Sequence, residues 1–377
     1  MNEWCKNWCL NVNIAKSNVM HFRSPRKQIS GFKFTYGDQD IGLIKTYKYL
    51  GIMLDEYMKF DVCSTLLSES AGRALGGIVA KFKDLKNSGF ETFTKLYESG
   101  VCSISDYCGE IWGYKEFYCS KQLHLRAMRY YLGVHRYAAI PAIEGDMGWL
   151  NPRYRRFLKI AQFWNRMIKM DDSRLTKLLF NIDYNICKNN WSSDVREMFE
   201  LIGQIDVFAS KICCDVDNVK AKLFQEMENN WCDSIEHKPK LRTYKKYKHN
   251  INVEPYVSHY MSRGNRSILA QFRFGILPLR IETGRFDSTP LEDRLCIFCN
   301  MNVIEDEFHF LIQCPMYIIP RQTLFHNISL NEDSFLRLNQ SEKFNFINQN
   351  CQKQLAIYLC KSWEIRKSLM YNNVDSV

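Results

Sequence analysis

Four residues near the end of this 377-residue chain have the types and spacing to hold one metal ion. They are Cys296 and Cys299, separated by Ile297-Phe298, followed by His309 and Cys314. Two cysteines with two residues between them fit a tight turn that points both sulfurs at one cation. Residues 305–313 are expected to be helical, with Phe308, Leu311 and Ile312 on the buried side, which brings His309 and Cys314 back to the same point. Three thiolates and one imidazole close a tetrahedral shell of the structural zinc type, with no position left for an activated water. Zn²⁺ is therefore the expected cofactor, and catalysis at the metal is not expected. In a chain with 15 cysteines a lone Cys-x-x-Cys carries little weight; the downstream His and Cys supply the specificity. Cys5/Cys9, Cys102/Cys108 and Cys213-Cys214 have no His at ligand spacing and read as core or surface thiols.

The elements that must position this cluster come from a chain that is 46% hydrophobic and 24% charged, which excludes a disordered basic tail. The net charge of +10, from 51 Lys plus Arg against 41 Asp plus Glu, attracts polyanions, of which nucleic acid is the commonest. A basic globular protein without such a partner fits the charge equally well. The cysteine count is odd, the spacing is scattered, and Met1-Asn2-Glu3-Trp4-Cys5-Lys6 is not followed by an apolar signal region. The thiols are thus expected to be reduced, and the protein intracellular, in nucleus or cytoplasm, rather than secreted. No run of apolar residues is long enough for a membrane span. The oligomeric state is not legible.

Trp4/Trp8 and Cys5/Cys9 at i, i+4 spacing predict a short helix, followed by a strand over 17–22. Further strands are expected over 32–36 and 41–54, with a turn at Gly37-Asp38 between them. From residue 61 to 235 the period becomes helical: Leu66, Ala74, Leu75, Ile78, Phe82 and Leu85, then Phe157, Leu158, Ala161, Trp164 and Ile168. Arg155, Arg156, Lys159, Arg166 and Lys169 fall on what reads as the solvated face of the second set. Gly133, Pro141, Gly145, Gly148 and Pro152 read as a connecting loop. The fold class is α+β, mainly α, with a small incomplete N-terminal sheet. The segments run 1–60, 61–235, a basic linker and helical stretch at 236–290, the metal module at 291–325, and a helical tail at 326–377.

Residues 237–249 hold the densest basic run, in which Lys238, Lys240, Arg242, Lys245, Lys246 and Lys248 interleave with Tyr244 and Tyr247. Such a run either contacts phosphates and stacks bases or forms a solvated linker. Arg285 and Arg294 extend the basic character into the cysteine cluster.

Taken in order, these segments resemble the C-terminal part of a non-LTR retrotransposon reverse transcriptase. The resemblance rests on Gly275-Ile-Leu-Pro-Leu-Arg-Ile-Glu-Thr-Gly284-Arg285, Glu292-Asp-Arg294-Leu-Cys296, and Glu305-Asp-Glu307-Phe-His309-Phe-Leu-Ile-Gln-Cys314-Pro315 with Tyr317 and Arg321. Upstream, Trp8, Leu10, Asn13 and Lys16 before the first strand look like the segment that follows the polymerase active site. Tyr47-Lys-Tyr49-Leu50-Gly51 looks like a primer-grip hairpin, and Tyr107-Cys-Gly-Glu-Ile-Trp-Gly113 and Gly145-Asp-Met-Gly148 are similar to thumb segments. The resemblance implies a palm remnant (1–60), a thumb-like helical region (61–235) and a CCHC zinc module that bind RNA or DNA. The family's Ala-Asp-Asp hairpin precedes the Trp8 type of segment and would fall before Met1. Met170-Asp171-Asp172 lies in the wrong order and reads as a solvated helix end. Polymerase activity is accordingly not expected. The alternatives are a zinc-stabilised structural or protein-interaction module, a polymerase completed by a separate palm chain, and a decayed element with no selected function. Phe298 either stacks on bases or packs beneath the metal loop.

Overall fold

A computed structural model describes residues 2–84 and 89–372, and is mainly helical with five short strands at the start. Strands β1 (Asn18–Met20), β2 (Phe34–Tyr36) and β3 (Gln39–Ile44) form a sheet of order β1-β3-β2, β1 parallel and β2 antiparallel to β3. Strands β4 (Thr46–Tyr49) and β5 (Ile52–Asp55) form a separate hairpin. The single strand expected over 41–54 is thus broken at Lys45 and again at Leu50-Gly51. These two residues have φ of 45° and 90°, the positive pair that a two-residue hairpin turn requires. Tyr107 closes over this turn: its Oη donates to the Leu50 carbonyl at 3.1 Å, and its ring edge lies 3.2 Å from where a Cβ on Gly51 would sit.

Helices dominate from Asp61 onward, and the expected apolar stripes supply buried positions, with Leu75 and Ala161 fully enclosed, although Leu66 stays exposed. Leu85 lies outside the described residues. One core runs from Ala71 through Phe93, Tyr131, Trp149, Tyr244 and Phe310 to Leu359, so the helical region, the basic run and the cysteine segment share an interior. A second core surrounds Trp164, whose ring stacks on Phe208 at 5.4 Å and whose Nε1 donates to the Ile212 carbonyl. Among the described residues no helix is long and apolar enough to cross a membrane, and all fifteen cysteines are free thiols.

Three expectations are corrected. The stretch read as a loop contains the helix Ile140–Met147, with Pro141 in its first turn and Gly145 inside it. A Cβ at Gly145 would lie 2.6 Å from Tyr244 Oη and 2.7 Å from the Trp231 ring, so the glycine is there for close packing. Gly133 and Gly148, at φ 70° and 62°, do end helices as left-handed caps. In the helix Pro152–Lys169, Arg155 and Arg156 are not on a solvated face. Both pair with the buried Asp106 carboxylate, at 3.0 and 3.4 Å, and Arg156 also donates to Ser120 and to the Gly113 and Lys115 carbonyls. The run 237–249 is not a solvated linker either. Leu241 and Tyr244 are fully buried, and two short 3-10 turns, Pro239–Leu241 and Tyr244–Lys246, fold the run onto the core.

What anchors that run is a buried charge network. The Asp146 carboxylate receives Arg273 Nε and Nη2 at 3.0 and 3.2 Å, and Tyr244 and Tyr256 hydroxyls at 2.7 and 2.8 Å. Arg273 also reaches Glu254 at 3.0 Å, and Glu254 is paired with Lys248 at 2.6 Å. Two cations and two anions balance, and every carboxylate oxygen has a donor, which is the condition for burying charge at tolerable cost. Burial, reinforced by the neighbouring Asp146 carboxylate, raises the Tyr244 and Tyr256 hydroxyls well above the usual phenol range, so both act as donors at neutral pH. Arg273→Ala leaves Asp146 and Glu254 underpaired in the core and is expected to cost about 3–5 kcal/mol in denaturant unfolding. A loss within the roughly 0.5 kcal/mol typical of surface changes would contradict this role.

Candidate metal centre

The cysteine loop is closed by a minimal antiparallel pair, the Leu295–Ile304 bridge. Cys296 N–H donates to the Val303 carbonyl at 2.9 Å and Glu305 N–H to the Arg294 carbonyl at 3.0 Å. Asn302, at φ 51°, makes the return turn. The chain then enters a helical turn at Glu307, with Asp306 Oδ1 accepting the His309 N–H at 2.8 Å as a cap.

The helical segment expected over 305–313 forms from residue 307, with Leu311 and Ile312 buried, but it is not α-helical throughout. Residues His309–Gln313 adopt a π turn, and Cys314 N–H donates to the His309 carbonyl at 2.8 Å, an i→i+5 bond. On an α-helix, residues five apart point about 140° away from each other. The wider turn brings positions 309 and 314 back toward one side, which the metal geometry requires. Its carbonyls are held from outside: Arg321 donates to the Leu311 and Cys314 carbonyls, and Tyr358 Oη to the Phe310 carbonyl at 2.7 Å.

The donor atoms of Cys296, Cys299, His309 and Cys314 all lie within 4.8 Å of one another. Tetrahedral coordination at ordinary zinc–sulfur and zinc–nitrogen bond lengths places neighbouring donors about 3.6–3.8 Å apart. Cys299 Sγ and His309 Nε2 are 3.5 Å apart, close to that spacing for one pair of donors. His309 and Cys314 are fully buried and Cys296 nearly so. A hydrogen bond to Cys314, together with burial, pushes the Cys296 thiol up to about 12; the same bond lowers Cys314, and burial raises Cys299. A bound divalent cation would take the place of these shared protons and hold the sulfurs as thiolates. The Cys3His group could hold a metal ion, and its donor set is compatible with zinc.

Two buried glutamates, present in a motif of the sequence but given no role there, fasten this group to distant parts of the chain. Glu305 pairs with Arg366 of the helix Gln352–Asn372, accepts the Arg280 N–H at 2.7 Å, and lies 3.8 Å from Cys296 Sγ. Glu307 accepts Arg242 through both carboxylate oxygens at 2.9 and 2.8 Å and Thr243 Oγ1 at 2.9 Å. Arg366 also lies over the Phe298 ring, 4.6 Å from its centroid, which occupies that face of the ring.

The eight basic residues singled out from sequence divide sharply. Lys248 is buried against Glu254, and Arg294 donates to the Thr289 and Ile281 carbonyls beneath Gly284. Lys240 pairs with Glu282, and Arg242 with Glu307. Lys245 pairs with Glu236 at the surface, and Arg285 sits exposed with a 3.8 Å contact to Glu282. Lys238 and Lys246 are exposed and form no ion pair among the described residues. Tyr49 and Leu50 are exposed on the hairpin turn, with Gly51 held under Tyr107. Met170 ends its helix, and Asp171 accepts from Ser173 in the turn that follows. Compared with family models, curated proteins and solved structures, the chain matches none.

The cluster generates a direct expectation. Titration of the reduced, metal-free chain with Co²⁺ is expected to reach one equivalent with the intense sulfur-to-metal absorption of tetrahedral thiolate coordination, and Cys296→Ser to abolish it. Absorption unchanged in the variant would remove the site.

Proposed function

We propose that the chain is a zinc-stapled nucleic-acid-binding fragment of the retrotransposon reverse-transcriptase type, without polymerase catalysis of its own. The metal is zinc, because three thiolates and one imidazole in a closed, buried shell suit a cation with no demand for open coordination. The observation that carries the binding reading is the Arg242–Glu307 pair, which joins the basic run to the metal segment two residues before His309. The metal therefore organises a basic region instead of an isolated loop. Cations in that region whose charge is not consumed internally, Lys238, Lys246 and to a large degree Arg285, are the phosphate contacts. Polymerisation needs carboxylates that share two divalent ions, and the resemblance carries none of them onto a position of this chain.

A second reading, a protein-interaction module, is favoured by one feature. Leu175, Leu178, Leu179, Ile182 and Ile186 stand exposed at helical spacing on the helix Leu175–Ile186.

Binding to single-stranded RNA or DNA is expected to weaken linearly on a log–log plot against salt. The Lys238/Lys246/Arg285→Ala variant is expected to reduce the slope by about 2–3 while keeping the fold. An unchanged slope would show that the contacts lie elsewhere. Substituting Lys248 is uninformative, because it strips the buried Glu254 of a partner. Primer extension by the purified chain with Mg²⁺ or Mn²⁺ is expected to yield no template-directed product; synthesis would contradict the proposal.

A further inference from the structure

The helix Leu175–Ile186 turns its charged side chains toward the protein and shows solvent an uncharged face. Lys177 is buried, with its ammonium on the Met167 and Ile168 carbonyls at 2.7 and 3.0 Å, at the carbonyl end of the helix Pro152–Lys169. Asp183 accepts the Ser192 N–H and hydroxyl at 2.9 and 2.6 Å. Phe180 packs on Trp164, and Tyr184 Oη donates to the Phe208 carbonyl at 2.8 Å, so the inward side is mounted on the second core. Outward, Leu175, Leu178, Leu179, Ile182 and Ile186 are between 49% and 70% exposed, and the exposed polar residues among them are Thr176 and Asn185. Leu175, Leu179, Ile182 and Ile186 follow at steps of four, three and four, the seam spacing of a two-helix coiled coil, and fall within about 60° of one another around the axis. A face without charge offers nothing to a phosphate, so this surface lies outside the nucleic-acid reading. A helix lying in a lipid interface turns Lys and Arg on its polar side toward headgroups, whereas here that side is buried in the protein.

We propose that this face pairs with the same face of a second copy of the chain, the two helices crossing antiparallel about a two-fold axis. Such an interface sets residue i against the partner's j, and j against the partner's i. With the axis between Phe180 and Asn181, Leu175 meets the partner's Ile186, Leu179 the partner's Ile182, and Thr176 the partner's Asn185. Apolar therefore faces apolar and polar faces polar along the seam. Leu178 flanks it, opposite the partner's Asp183, whose carboxylate is already held by its own Ser192. The ends agree with this direction. Asp171, Asp172 and Arg174 precede the stripe with a net negative charge, Lys188 follows it, and all four are exposed without an ion pair among the described residues. Antiparallel pairing brings each negative end to the partner's positive one and opposes the helix dipoles. The five apolar side chains present roughly 500 Å² per copy, so pairing buries about 1,000 Å² before the flanks are counted, which reaches the size of a specific interface. The inference goes beyond the nucleic-acid reading and rests on the interaction reading, whose partner it names.

Sedimentation velocity of the zinc-loaded full chain across about 1–100 µM tests it. The wild type is expected to pass from monomer to dimer within that range. Leu179→Glu enters the interface twice, beside the axis, and is expected to raise the dissociation constant at least about tenfold with the far-UV spectrum unchanged. Leu175→Lys and Ile186→Glu are each expected to weaken self-association. Their mixture is expected to form a heterodimer tighter than either variant alone, because the antiparallel register sets position 175 against the partner's 186. A wild type that stays monomeric, a dimer that Leu179→Glu leaves intact, or a mixture no tighter than its components would overturn the inference. For a monomeric wild type, bis-ANS fluorescence and flotation with phosphatidylcholine vesicles separate the causes. Dye binding that Leu179→Glu abolishes, without vesicle binding, leaves the face to a different protein, and the interaction reading survives. Vesicle binding that the same variant abolishes assigns the face to lipid. With neither response, the interaction reading falls together with the inference.

Discussion

Three consecutive carboxylates stand just before His309 of the Cys3His group, and each is committed to a different partner. Glu305 is buried against Arg366 of the last helix, Asp306 caps the His309 N–H, and Glu307 is buried against Arg242 of the basic run. Burial raises Glu307 despite the opposing guanidinium, so its charge is held at a cost that only good geometry offsets. For Arg366, burial works against the charge, and the Glu305 carboxylate more than compensates. Few arrangements of three adjacent residues can meet these demands together with a π turn at His309, and that constraint fixes where the metal segment sits.

The same logic recurs in the helical region. Asp106 holds Arg155 and Arg156, and Asp146 holds Arg273 with two tyrosines; each time one acid locks elements that lie far apart in sequence. The chain therefore commits many of its basic side chains internally. Each ion pair removes one acid with one base and leaves the net charge of +10 unchanged, so the number of Lys and Arg, not the net charge, overstates the contacts open to a polyanion, and the exposed, unpaired cations are the relevant subset.

This explains which parts were legible in the sequence. The grouping of Cys296, Cys299, His309 and Cys314 follows from residue type and spacing, and the apolar periods of 66–82 and 157–168 locate helices, because both are local properties. The π turn at 309–313 was not legible. Its residues are ordinary helix formers, and the wider turn is imposed by Arg321 and Tyr358, which hold its carbonyls from elsewhere in the chain. Arg156 looked solvated because a guanidinium usually is; only the placement of Asp106, fifty residues earlier, turns it inward. Gly145 looked like a loop residue for a similar reason, since the tyrosine and tryptophan that crowd it come from residues 231 and 244.

The central claim is that the metal site and the basic run are one mechanical unit joined through Glu307. Hydrogen exchange on the zinc-loaded and chelated chain tests this most directly. If the account is right, chelation removes protection at residues 295–314 and at 239–248 together. If 239–248 stays protected while 295–314 opens, the basic run is held without the metal segment, and the account is contradicted.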